Sequence, residues 1–223
     1  MATQKALTLL DTTVGKKAAL AVSGVVLFGF VVGHMLGNLQ VLLGPEVYNA
    51  YAAGLKEKPI LLWGVRAALL ISVLVHTTIV LELYGKSIAA RPVAYKVKKN
   101  IATSYAAMMM KYTGPALLVY IIFHLAHFTF PGVSLGDYDH VPGDVYANFL
   151  NAFHIPWVVA VYVIANVCLG FHLYHGAFSM LQSLGLNHPR YNKGLRNLTR
   201  GLVFLVTAGN VFLPLTVLLG LVK

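Results

Sequence analysis

Six of the nine histidines in this chain fall inside long apolar stretches: His34, His76, His124, His127, His172 and His175. Imidazole is a common metal ligand and a proton carrier. In an apolar surrounding it is costly, and it usually faces a helix-bundle interior and a function. Two of the six end matching runs. SGVVLFGFVVGH covers Ser23 to His34, and TGPALLVYIIFH covers Thr113 to His124. Both read hydroxyl residue, glycine, nine residues, histidine.

Composition says what carries these residues. The 223 residues are 58% hydrophobic and 11% charged, too apolar for an ordinary soluble domain. A membrane-spanning helix needs about 20 mostly apolar residues. Five segments qualify, near 18–43, 59–84, 106–130, 155–182 and 200–221. They are too long, and alternate too little, for membrane strands. The expectation is an all-α integral membrane protein with five transmembrane helices in one domain, 1–223. Short loops should make neighbouring helices antiparallel partners in one bundle. Segments one and two match segments three and four in plan, with histidine on every helix and the shared pattern on the first of each pair. That is a weak internal repeat.

The formal charge is +10, but its distribution does not suit nucleic acid. Lys5, Lys16 and Lys17 precede segment one. Lys86, Arg91, Lys96, Lys98 and Lys99 lie between segments two and three, and Lys111 just inside the third. Arg190, Lys193, Arg196 and Arg200 lie between segments four and five. The alternate loops hold Glu46, Glu57, Asp137, Asp139 and Asp144, opposed only by Lys56 and Lys58. Basic loops stay cytoplasmic, so the N-terminus is expected inside and the C-terminus outside. MATQKALTLLDTTVGKK has too short an apolar run for a signal peptide and reads as an interfacial lead-in. Cys168 is the only cysteine, which excludes an internal disulfide or thiolate cluster.

Depth sorts the histidines. A helix rises about 1.5 Å per residue. Counted from the outer ends, His34 lies about 15 Å below Gly44 and His124 about 10 Å below Pro131. His76 lies about 25 Å from Pro59, and His172 about 24 Å from Pro156. His34 and His124 share an outer level; His76 and His172 share an inner one. Each level takes one histidine from each repeat half. Two histidines at one depth on facing helices suit bis-axial ligation of haem iron. One cysteine and few carboxylates leave zinc or non-haem iron short of ligands. The expectation is two haems in a core four-helix bundle, their levels about 10–15 Å apart. No Cys-x-x-Cys-His motif is present, so the haems would be non-covalent b type.

His127 and His175 each follow a candidate by three residues. The repeat spacing selects His124 over His127, and depth slightly favours His172 over His175. Contact with a ligand or haem propionate, or plain packing, would account for His127 and His175. Ser23, Gly24, Thr113 and Gly114 fall near the inner level and would line that haem. Gly29, Gly33, Gly37, Gly170 and Gly176 are further places where a flat group could approach. Arg66 lies near the outer level, where a charge calls for a partner: a propionate, a quinone carbonyl, or the outer surface by snorkelling. Glu82 is the one carboxylate inside a span, able to snorkel or to pair with Lys86. No carboxylate chain crosses the core, which argues against a proton pump or a haem-free proton-coupled permease.

SGVVLFGFVVGHMLGN, the histidine in ISVLVHTTIVLELYG, KYTGPALLVYIIFH, and GFHLYHGAFSMLQSLGLNHPRYN resemble the single-chain, five-helix cytochrome b subunit of di-haem succinate:quinone oxidoreductases and fumarate reductases. The resemblance covers nearly the whole chain. It implies that His76 and His172 hold a proximal haem and His34 and His124 a distal one. It implies a flavoprotein with FAD and an iron–sulfur protein docked on the cytoplasmic side. It also implies menaquinone as electron acceptor, a bacterial inner membrane, and an oligomer of the whole complex as one possible assembly. Quinone pockets lack a sharp motif; Arg66 is the first candidate, with Asn38 and Tyr51 fainter ones. The di-haem cytochrome b of another quinone-linked dehydrogenase is the alternative.

Overall fold

The computed structural model describes residues 8–93, 95–97, 99–130 and 140–223. Lys5, Lys98, Asp137, Asp139 and Pro131, used in the charge and depth counts, and the start of the N-terminal lead-in lie outside them. The described regular structure is helical, without strands. Seven α-helices follow one another: α1 Thr13–Asn38, α2 Pro45–Lys56, α3 Pro59–Ala89, α4 Tyr105–Phe128, α5 Val145–Phe153, α6 Pro156–Ser183 and α7 Asn192–Leu218. A 3-10 turn, Leu39–Leu43, prolongs α1. Five helices are long and apolar enough to cross a membrane: α1 with that turn, α3, α4, α6 and α7. This is an all-α, multi-pass membrane protein.

Local chemistry sets the helix ends. The Thr12 side chain accepts from the Gly15 amide at the start of α1. Ser104 does the same for Ala107 in α4. Pro59 and Pro156 open α3 and α6, where the missing N–H costs nothing. Gly44 turns the chain into α2 at φ 99°, in the left-handed region that glycine enters freely.

Five elements depart from the sequence expectation. α1 begins at Thr13, five residues before position 18, and α3 ends at Ala89, five beyond 84, so Lys16, Lys17 and Lys86 lie on helices. The loops carrying Glu46 and Asp144 contain helices, α2 and α5. Both are too short and too polar at their ends to register as spans. α7 begins at Asn192, well before position 200, because its first two turns are polar and only the later ones are apolar.

α6 is the central helix. It packs on α1, α4 and α7, while α3 lies chiefly on α1. Consecutive spans α3 and α4 are therefore not principal partners, contrary to the neighbour rule. Small residues allow the close contacts. At Gly170 an added Cβ would lie 2.8 Å from Thr207 Oγ1, and at Gly209 it would lie 2.6 Å from Met35 Sδ. These glycines join α6 to α7 and α1 to α7, so Gly170 serves packing rather than a cofactor. One third of the most apolar stretch of α6 and of α7 is buried, against 6% for α3 and 11% for α4. The two least packed spans both carry histidines of interest.

α2 and α5 form a cap over one end of the bundle. Asn49 Nδ2 donates to Asp144 Oδ1 at 2.9 Å, and the Tyr146 amide donates to Asn49 Oδ1 at 3.0 Å. Asp144 also accepts from the Ala147 amide at 2.9 Å, capping α5. Tyr48, its phenol pKa pushed up by burial, donates to Asn38 Oδ1 at 3.0 Å and ties α2 to α1. The Ala147 amide, and then Asn49, hold the Asp144 carboxyl below its ordinary 3.8. A depressed carboxyl pKa stabilises the fold above the unfolded value, and that contribution disappears as pH falls through the folded one. Protection of α5 amides should thus be complete above about pH 4 and decline below it. Asp144→Ala should lower that protection at neutral pH by roughly fivefold, the usual cost of a lost cap. Hydrogen exchange, corrected for intrinsic rates, checks both; equal protection in variant and parent at pH 7 would contradict them.

Candidate functional site

The histidines meet in two pairs. His34 on α1 and His124 on α4 have ring centroids 5.7 Å apart, with ring planes at 82°. His76 on α3 and His172 on α6 have centroids 6.2 Å apart, with planes at 48°. These are the pairs that depth selects. Ser23 touches His76, and His34 lies eleven residues further along the same helix. The two pairs are therefore about 16 Å apart along α1. The His76–His172 pair lies toward the end of the bundle rich in lysine and arginine. The His34–His124 pair lies toward the α2–α5 cap.

The spacing suits a metal held between two rings. Imidazole–metal bonds of about 2 Å on opposite sides put ring centroids about 6 Å apart. Among the described residues no three His, Cys, Asp or Glu side chains converge into a metal-holding group. A zinc site would need more protein ligands, whereas haem iron takes two and receives the rest from its macrocycle. Two glycines flank the basic-end pair. An added Cβ on Gly24 would be in ordinary contact with His76 Cε1 at 3.8 Å and Met180 Sδ at 4.0 Å, and on Gly114 it would meet nothing within 4 Å. The residues present fit two bis-histidine haems.

Each pair is braced from outside. His76 Nδ1 lies 3.2 Å from Ser23 Oγ. His172 Nδ1 lies 3.5 Å from Thr113 Oγ1. His124 Nδ1 lies 3.1 Å from the Tyr162 hydroxyl, and His34 stacks on Phe30, centroids 5.2 Å apart. Tyr162 is buried on α6 and also meets His127 Nδ1, at 3.0 Å. His127 thus reaches His124 through one shared phenol, within an aromatic cluster that includes Phe123 and Phe128. His175, half-buried, follows His172 by one turn of α6. The sequence reading missed Tyr162. The depth count would have found it, ten residues and about 15 Å from His172, had it been applied to phenols as well as to imidazoles.

Other candidates are placed differently from expectation. Arg66 is exposed on α3, its guanidinium 4.9 Å from the Trp63 ring centroid. An arginine resting on an interfacial tryptophan is a snorkelling arrangement, so the paired interior charge is not found. Asn38 is engaged by Tyr48, and the Tyr51 ring fills the space beside Gly37; these residues dock α2. Glu82 pairs with Lys86 at 3.1 Å and with Lys16 of α1. His140, His154 and His188 lie outside the spans, as expected, with His154 bonded to the Leu150 carbonyl at 2.7 Å.

No family model, curated protein or solved structure matches this chain.

Tyr162→Phe removes the hydroxyl that both ring nitrogens contact. A lost intramolecular hydrogen bond costs about 0.5–1.5 kcal/mol. Unfolding in mixed micelles, followed by circular dichroism, should show a loss of that size. Tyr84→Phe, at an exposed tyrosine, should show none. Equal stability of the two variants would mean that the phenol does not brace the pair.

Proposed function

We propose that this chain is a di-haem electron conduit and membrane anchor, the cytochrome b subunit of a succinate:quinone oxidoreductase. The observation that carries the reading is the meeting of four histidines, one from each of four helices, as two pairs at two levels. His76 and His172 hold one b haem at the basic end. His34 and His124 hold the other at the capped end. When bound, the haems supply one-electron transfer from one side of the membrane to the other. The residues do the rest. The rings present lone pairs at a fixed spacing. The glycines leave the backbone approachable. Ser23, Thr113 and Tyr162 hold rings in orientation.

By the distribution of lysine and arginine the basic end is the cytoplasmic face, and the family resemblance implies a bacterial inner membrane. It docks the iron–sulfur and flavoprotein subunits, which carry the dicarboxylate chemistry. Quinone, of the menaquinone type, reacts near the His34–His124 level. Arg66 is the residue to test there. A lipid-soluble quinone arrives sideways from the bilayer, and an exposed cation on the membrane face of α3 is open to it. Succinate oxidation is the favoured direction as the commoner role, and fumarate reduction would use the same parts.

Purification in mild detergent should bring down a flavoprotein and an iron–sulfur protein. Partners of another dehydrogenase class would reassign the complex. His76→Ala or His172→Ala should remove one haem, His34→Ala or His124→Ala the other, and His127→Ala or His175→Ala neither, as read in low-temperature spectra. Retention of both haems in His124→Ala with loss in His127→Ala would overturn the ligand assignment. Arg66→Leu should impair quinone reduction at least tenfold while succinate oxidation with a soluble dye persists. Normal quinone turnover in that variant would move the quinone site elsewhere.

A further inference from the structure

The repeated pattern puts a hydroxyl eleven residues before a histidine, on the same helix, in both halves of the chain. The histidine of each such helix joins the pair at the capped end. The hydroxyl reaches the pair at the basic end: Ser23 of α1 meets His76 of α3, and Thr113 of α4 meets His172 of α6. Each half repeats the same contact between its own two helices. Both hydroxyl residues are buried, Ser23 at 5% exposure and Thr113 at 1%, so water does not compete for them.

The hydrogen-bond directions follow from counting protons. A hydroxyl has one proton to give. Ser23 Oγ donates to the Leu20 carbonyl at 2.9 Å, and Thr113 Oγ1 donates to the Met109 carbonyl at 3.2 Å. Each oxygen is left with lone pairs toward the ring. With the hydroxyl proton on the carbonyl, the oxygen accepts from the ring, and the proton between them sits on Nδ1. That choice leaves Nε2 with the lone pair, and Nε2 is the atom available to a metal.

We propose that Ser23 and Thr113 are positioning residues that fix His76 and His172 as Nδ1-protonated, Nε2-ligating imidazoles. They thereby set the affinity and reduction potential of the group held at the basic end. The tautomer stands on the hydrogen bonds alone; the effect on a haem rests on the function proposed above. An imidazole that donates its second N–H becomes a stronger base toward the metal and favours the oxidised ion. Losing the acceptor should raise the potential of that haem. Ser23 is the stronger acceptor, at 3.2 Å, while Thr113 at 3.5 Å is near the limit of a hydrogen bond. The serine should therefore matter more.

Two measurements on the purified full-length protein test this. Redox titration followed by visible and electron paramagnetic resonance spectra should show the basic-end haem shifted upward in Ser23→Ala. The expected change is roughly tenfold in its oxidation equilibrium, about 59 mV for one electron. Thr113→Val should give a smaller shift, the other haem should not move, and Ser23→Thr should restore the parent value. Selective loss of that haem in Ser23→Ala, reversed in Ser23→Thr, would support the proposal equally. Both haems retained with unchanged potentials, or both shifted alike, would overturn it. Nitrogen-15 spectra of histidine-labelled protein read the tautomer directly. In protein prepared without haem they should show Nδ1 protonation at His76 that is lost or mixed in Ser23→Ala; with haem bound, Nε2 ligation holds the proton on Nδ1 in parent and variant alike. An Nε2-protonated His76 in the parent would refute the proposal in either preparation. A parent protein without haem would sink the proposed function, and the tautomer would still be decided.

Discussion

An imidazole inside a bilayer must find something to bond, because hydrocarbon offers nothing in place of water. Much of this fold answers that constraint. Four rings come from four helices and meet two by two, and the outer nitrogens of three of them reach hydroxyl groups. Four helices that must bring rings together cannot also close into the tightest bundle. The packing is accordingly uneven. α6 and α7 carry the buried apolar contacts, with α1 set against both. α3 and α4 stay the least buried of the spans.

The repeat gives this arrangement its economy. One helix in each half serves both levels, with a histidine at one and a hydroxyl at the other, three turns apart. Moving such a helix along its axis would disturb both pairs together. The spacing of the two levels is thereby tied to covalent geometry rather than to loop length. The cap formed by α2 and α5 acts differently. It fastens the opposite end through Asn49 and Asp144, a contact in polar surroundings that depends on an ionised carboxylate.

What could be read from the sequence follows from the same geometry. The spans were legible because hydropathy and length alone define them. The two histidine pairs were legible because depth depends only on helix rise, which hardly varies. Rotation about the helix axis was not legible. Arg66 therefore has the expected depth but turns to the membrane face beside Trp63, and Tyr51 turns to Gly37. His124 and His127 differ by only three residues, and the repeat rather than the depth singled out the one that faces His34. α2 and α5 escaped because they are short and lie outside the apolar runs. The preference of α1 for α6, and the separation of α3 from α4, depend on shape complementarity such as Gly209 against Met35. No local pattern announces that.

The central claim is that two histidine pairs hold two haems. Extraction with acid acetone, with haem and protein quantified on the same sample purified in mild detergent, tests it most directly. The account predicts about two non-covalent haems per chain, one for each bis-histidine level. A ratio near zero would leave the paired imidazoles as hydrogen-bonding contacts between helices, and a ratio near one would leave one pair without its cofactor; either result would contradict the account.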